Sequence, residues 1–310
     1  MPIDVALMIE GQNGLNWDHW QAVAAIAEDE GFAGLYRSDH YTNPNPPQLD
    51  SLELWVSLTW LASHSSRIDF GPLVSQVSFR HPSATARMAM AVDDLSGGRL
   101  ILGLGAGWQV REHDMFGLEL LDLKPRFARF EEALTITEQL LKSDQPVDYD
   151  GRYYQLQAAQ LLPPTRRQDG PPLLVGGNGP KRTLPLAARF ADEWNAVFLP
   201  PDKFKALSER LDSLLEAQGR PRSAVKRSMM TGCWMTRDEG ELTRLLDKRG
   251  RSFEDLRARG LILGTPDMIR EQVEALGRAG VQRVMLQWLD LADRDGMRQL
   301  GREVASHFAD

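Results

Sequence analysis

Apolar and polar positions along the chain switch between two periods almost throughout. Short apolar runs that read as buried strands begin near residues 3, 34, 68, 100, 173, 194, 228 and 284, and stretches with apolar residues at helical spacing lie between them. Ile3–Met8 is the first strand. Asn16 can cap a helix whose Trp20, Val23, Ala24 and Ala27 fall on one face, with Gly31 at its end. Gly34–Arg37 is the second strand, and a helix over about Ser51–Ser65 leads to the strand Ile68–Val74. Pro82 suits the first turn of the next helix, whose expected apolar stripe is Ala84, Met88, Ala91, Val92 and Leu95, with Gly97-Gly98 as its stop. Leu100–Leu104 follows as a strand, then a helix with Phe127, Phe130, Leu134 and Leu141 on one face.

Val147–Tyr149 and Arg152–Leu156 flank Asp150-Gly151, a pair suited to a two-residue type I′ hairpin turn. Leu173–Val175, Trp194–Phe198, Ser228–Met235 and Val284–Leu289 supply the remaining strands. Phe204, Leu207, Leu211 and Leu214 mark one further helix, and Thr265-Pro266 opens another that ends at Gly280. Eight strands with intervening helices predict an α/β fold, a (β/α)8 barrel formed as one domain over residues 1–310. The charged segment Thr236–Gly264 is long for a simple connection and reads as an elaborated loop over the barrel mouth.

Composition narrows the functional classes. The net charge of −7 disfavours nucleic acid and anionic membrane surfaces as partners. No run of about 18 apolar residues is present, and the strand-like opening lacks a basic leader, so a cytoplasmic location is expected. Cys233 is the single cysteine, which excludes an intrachain disulfide and multi-thiolate metal sites, and its apolar surroundings suggest an inert buried thiol.

Three segments carry candidate chemistry. Ser38-Asp39-His40 falls at the C-terminal end of the second strand, the catalytic face of a barrel, and His40 is a candidate proton donor or acceptor. Gly103-Leu104-Gly105-Ala106-Gly107 ends the fourth strand. Its missing side chains leave room for a flat ring that Trp108 either borders or merely flanks as a rim aromatic. Gly176-Gly177-Asn178-Gly179-Pro180-Lys181-Arg182-Thr183 joins a strand to a helix, and its glycines, its cations and the helix start suit a phosphate. This spacing is neither a dinucleotide fingerprint nor a P-loop. The six histidines show no metal-ligand spacing, and no nucleophile elbow occurs. A barrel glycosidase would want paired carboxylates at strand ends, where the fourth strand ends in glycines.

Together with Gly71–Val74, Arg80-His81-Pro82, Ser96-Gly97-Gly98-Arg99, Glu112-His113, Ala187–Arg189, Ala191–Asn195 and Gly264-Thr265-Pro266, these motifs resemble the bacterial luciferase-like family of flavin monooxygenases and deazaflavin-dependent oxidoreductases. The resemblance implies a barrel, usually dimeric, that acts on a small-molecule substrate with a flavin-like ring at the C-terminal strand ends. It implies a cis peptide between Leu73 and Val74 behind the ring and Asp39 at the ring edge. It also implies that Gly105, Ala106 and Gly107 flank the tail, and that Gly176, Gly177, Asn178 and Gly179 with Arg182 hold the phosphate. The Ser-Asp-His element and the Ser51–Trp55 stretch resemble the branch that uses coenzyme F420, with FMN and an oxygen-activating monooxygenase as the alternative. In sugar-phosphate dehydrogenases of that branch the histidine matching His40 acts in proton transfer, and a glutamate stands where this chain has Trp108.

Overall fold

The computed structural model describes residues 3–309. Strands β1 (Asp4–Ile9), β2 (Gly34–Arg37), β3 (Asp69–Pro72), β4 (Ser75–Gln76) and β5 (Leu102–Gly105) come first. A hairpin, β6 (Val147–Asp150) and β7 (Gln155–Ala159), stands apart as its own two-stranded sheet. Strands β8 (Leu173–Gly176), β9 (Glu193–Val197), β10 (Lys226–Met235), β11 (Ile262–Gly264) and β12 (Arg283–Gln287) complete the set. The parallel sheet runs β3-β2-β1-β12-β10-β9-β8-β5-β4, with β11 paired to the far end of β10. A bridge between Phe70 and Leu100 joins β3 back to the approach to β5. β3 and β4 together occupy one barrel position, so eight positions close the ring, as the alternation of strands and helices predicts.

The helices α1 (Trp17–Asp29), α2 (Leu54–His64), α3 (Pro82–Ser96), α4 (Val110–Phe116), α5 (Leu123–Lys142), α6 (Thr183–Phe190), α7 (Pro201–Ala217), α8 (Glu239–Arg249), α9 (Phe253–Ala258), α10 (Pro266–Arg278) and α11 (Arg294–Leu300) follow in chain order. Local chemistry sets several of their ends. The Asn16 side chain accepts from the His19 amide and Thr265 from the Met268 amide, each satisfying a donor that the first helical turn leaves free. Gly97, with φ 74°, closes α3 in the left-handed conformation.

Inward positions alternate along each strand. At the N-terminal end of the barrel Arg283 donates to Tyr36 Oη (2.6 Å), Glu193 Oε2 (3.1 Å) and Asp69 Oδ2 (2.7 Å). Burial alone would lower the guanidinium, but Tyr36 and the carboxylates hold it above its already high range, and burial drives the Tyr36 hydroxyl well above its own. An apolar layer of Ala6, Met8, Leu73, Ile101, Leu174 and Met285 sits on this plug. Above it, Gly103, Gly105 and Gly176 crowd round the Val74 side chain. One end of the barrel is therefore sealed by ion pairs, and the other is cleared of side chains.

Four local expectations are corrected. The stripe on α3 is rotated: Ala84 and Ala91 are exposed and Leu95 is 52% exposed, while Ala86, Ala89, Met90 and Asp93 are buried with Val92. The small alanines let α3 pack closely, and Asp93 is buried because it accepts from the Leu100 amide and pairs with Arg167. The hairpin turn spans residues 151–154, since Asp150 pairs with Gln155. Glu132 accepts from the Arg152, Tyr153 and Tyr154 amides and so holds this wider turn. Helix α2 starts at Leu54, capped by Glu53. Residues 236–264 form α8, α9 and β11 around their own apolar cluster of Leu242, Leu256 and Leu263, rather than a loop.

A Cβ at Gly103 would overlap the Pro72 carbonyl oxygen. Backbone cannot yield as a flexible side chain does, so Gly103→Ala is expected to lower unfolding stability by about 1–3 kcal/mol. Chemical denaturation checks this, and an unchanged midpoint would refute the close approach.

Candidate functional site

The loop after β2 carries Asp39 and His40 to the C-terminal rim. Asp39 is 2% exposed. It accepts from Arg80 at Oδ2 (2.5 Å) and from Ser75 (3.1 Å), and Arg80 is braced in turn by Glu53 at 2.7 Å. Burial pushes the Asp39 carboxyl upward, against the pull of Arg80 and Arg37.

His40 Nδ1 lies 2.8 Å from Oε1 of Glu112, whose side chain is 0% exposed. The other Glu112 oxygen accepts the Tyr41 amide at 2.9 Å, and Gln76 Nε2 donates to Oε1 at 3.0 Å. Burial alone would raise the Glu112 carboxyl, but His40, Gln76 and the Tyr41 amide outweigh it and leave it lowered. A buried carboxylate must be met by donors, so Nδ1 carries a hydrogen toward Glu112. Nε2 is then the atom whose protonation can change, and among the described residues it has no hydrogen-bond partner. Burial lowers the His40 pKa, yet the hydrogen bond to Glu112 and the charges of Glu112, Glu10 and Asp39 raise it overall. Trp108 meets the imidazole edge-on, with centroids 5.6 Å apart.

The floor beside this pair is cleared of side chains. The Leu73–Val74 peptide is cis, and the Val74 side chain occupies the space that Cβ atoms at Gly103 or Gly105 would need. Gly107, at φ 83°, lies against the Ser78 hydroxyl and Oε1 of the Gln76 side chain, and its own carbonyl accepts from Arg126 at 3.1 Å. Across β8, the Asn178 side chain donates to Val197 O (2.7 Å) and accepts from Val197 N (2.9 Å). This locks the loop of Gly176, Gly177, Asn178 and Gly179. Among the described residues the backbone amides of Asn178, Gly179, Lys181 and Arg182 have no hydrogen-bond partner. They open beside the start of α6, with the Arg182 guanidinium over Phe127 at 5.9 Å. Amides, a helix start and cations in one place suit an anion, and the glycine-cleared floor suits a flat ring.

The structure gathers Asp39, His40, Leu73, Val74, Gly105, Ala106, Gly107, Trp108, Gly176, Gly177, Asn178, Gly179 and Arg182 at or just beyond the C-terminal strand ends. Arg80 and Glu112 stand among the motifs that carry the resemblance, but their pairing with Asp39 and His40 is not legible in the sequence. Glu112 lies 72 residues from His40 on α4, a helix too short to show periodicity, while Gln76 ends the two-residue strand β4 and Arg80 sits in the loop after it. Cys233 is buried, and its thiol is pushed up to about 12 by desolvation, which leaves it inert at neutral pH.

The model of the luciferase-like monooxygenase family matches residues 1–254. The chain is 32% identical over 199 residues to the 5,10-methylenetetrahydromethanopterin reductase of Archaeoglobus fulgidus, a match covering 64% of this chain and 55% of that protein. It is 31% identical over 206 residues to the F420-dependent glucose-6-phosphate dehydrogenase of Microbacterium testaceum, covering 64% and 59%. The chain thus spans little more than half the length of these relatives. The solved structure of an F420-dependent secondary alcohol dehydrogenase with an F420-acetone adduct superposes over 99% of both chains, with a TM-score of 0.85 and 18% identity, a likeness of fold.

The site makes a direct prediction about His40. NMR titration of its imidazole is expected to give a midpoint above the free value of about 6.5. In Glu112→Gln the largest raising partner is gone while burial remains, so the midpoint should fall from the wild-type value. An unmoved midpoint would separate the two side chains electrostatically.

Proposed function

The chain belongs to the luciferase-like monooxygenase family, and from that membership we propose a deazaflavin-dependent oxidoreductase that moves a hydride to or from a small organic substrate. The observation that carries this reading is the His40–Glu112 pair standing at the rim of a glycine-cleared floor. Coenzyme F420 is the preferred partner, because the named relatives include an F420-dependent dehydrogenase of matching sequence.

The residues present fit such a group. Val74 and the bare backbone of Gly103, Gly105 and Gly176 would back a planar ring. Gly105, Ala106 and Gly107 would flank its tail, and Gly176, Gly177, Asn178, Gly179 and Arg182 would take the phosphate. Bound there, the deazaflavin supplies hydride acceptance or donation, and the protein supplies orientation and electrostatics. Asp39, clamped by Arg80 and Ser75, holds the loop that presents His40 and lies where the ring edge would fall. Glu112 keeps Nδ1 protonated and stabilises the imidazolium. His40 therefore takes a substrate hydroxyl proton on Nε2, or returns one to a carbonyl oxygen, as the direction of reaction requires. Trp108 closes one side of that position.

The broader reading is a cytoplasmic homodimer acting on small molecules without nucleic acid. The net charge of −7 supports the absence of nucleic acid, and the uncovered Val56 and Leu95 on adjoining α2 and α3 support a second copy of the chain.

Two substitutions separate chemistry from binding. His40→Ala is expected to cut turnover by about 10²–10⁴-fold while coenzyme affinity stays nearly unchanged. Arg182→Ala should weaken the coenzyme by about tenfold, the loss of one charge-assisted contact, with turnover of the saturated enzyme retained. Single-turnover kinetics beside a coenzyme titration reads both. Equal loss of turnover and affinity in His40→Ala would remove it from the acid/base role.

A further inference from the structure

The rim beside His40 differs in character from the rest of the mouth. Trp108 is 58% exposed, Val110 60% and Met115 45%, although Trp108 touches the imidazole edge-on. With Pro44 they wall an open recess of about 640 Å³. Large apolar side chains left uncovered together mark a place where another surface is buried, and here Trp108 links the patch to the proton-handling residue. Arg111 is the one cation among the residues lining the recess. Its Nη1 is already committed to Thr42 Oγ1 (3.0 Å) and Asn43 O (2.6 Å), and Asp114 lines the same wall. A phosphate placed here would meet a guanidinium tethered by one nitrogen to the 42–43 loop, and an opposing carboxylate. The anion-binding features of this chain lie instead at the Gly176–Arg182 loop, which the coenzyme reading already occupies.

We propose that Trp108 determines specificity and that the substrate is an alcohol or ketone with an apolar body and no phosphate. Its oxygen sits against His40, and its body lies along Trp108, Val110 and Met115. This rests on the hydride-transfer reading of the site and gives that reading a substrate class. It sets the chain apart from its glucose-6-phosphate-oxidising relative, since a sugar phosphate here would lie against an apolar wall and face Asp114. The indole acts by burying the body of the ligand, so its loss should weaken substrate binding and leave the coenzyme in place.

The test uses the coenzyme-loaded protein and 4-phenylbutan-2-one, with glucose 6-phosphate as the polar comparison, by calorimetric titration of wild type, Trp108→Ala and Trp108→Phe. The expected result is saturable ketone binding by wild type, weakened at least about tenfold in Trp108→Ala and largely restored in Trp108→Phe, with glucose 6-phosphate binding more weakly than the ketone. The proposal is overturned if the ketone fails to bind wild type, if Trp108→Ala binds it as tightly as wild type, or if glucose 6-phosphate binds the more tightly. The coenzyme titration that precedes loading reports separately on the reading beneath it. F420 that does not bind refutes that reading, whereas F420 that binds beside any of the three adverse results refutes only the substrate class.

Discussion

A carboxylate with no exposed surface organises this mouth. Glu112 is removed from water and stays charged only because His40, Gln76 and the Tyr41 amide meet it. Breaking a buried charge pair on one side typically costs about 3–5 kcal/mol, so the four groups hold one another in register. The loop after β2, the β4 segment and the short helix after β5 are thereby tied into one wall. The same contacts settle which imidazole nitrogen is free. Structural order and chemical readiness come from one set of hydrogen bonds.

The barrel makes that convergence possible. Parallel strands deliver every following loop to the same rim, so residues 40, 76 and 112 become neighbours without any closeness in sequence. The opposite end is closed by Arg283 with Asp69 and Glu193, which leaves the C-terminal end as the open face. Between them, a graded interior passes from ion pairs through Ala6, Met8 and Met285 to bare glycine backbone around Val74. A ring-shaped ligand fits only where side chains have been withdrawn.

Much of the fold was legible because strand and helix periods are carried by long apolar patterns, and all eight barrel positions could be placed from them. The helix face at Leu95 was misread because Ala84, Met88 and Ala91 keep helical spacing as well as Ala86, Ala89 and Met90 do, and packing chose between them. The Asp150-Gly151 turn was overridden by Glu132, a tertiary partner no local rule reveals. At the site, glycine loops and the Ser38-Asp39-His40 element were visible as motifs. The Glu112 contact was not, since a seven-residue helix shows too little pattern and its partner lies on another loop.

The account stands or falls on the ring this floor receives. Equilibrium titration of the purified chain with coenzyme F420 and with FMN, each followed by tryptophan quenching, tests it most directly. The account predicts saturable quenching by F420 with an affinity at least about tenfold, or 1.4 kcal/mol, tighter than for FMN. Tighter binding of FMN, with oxygen consumed when that flavin is reduced, would contradict it.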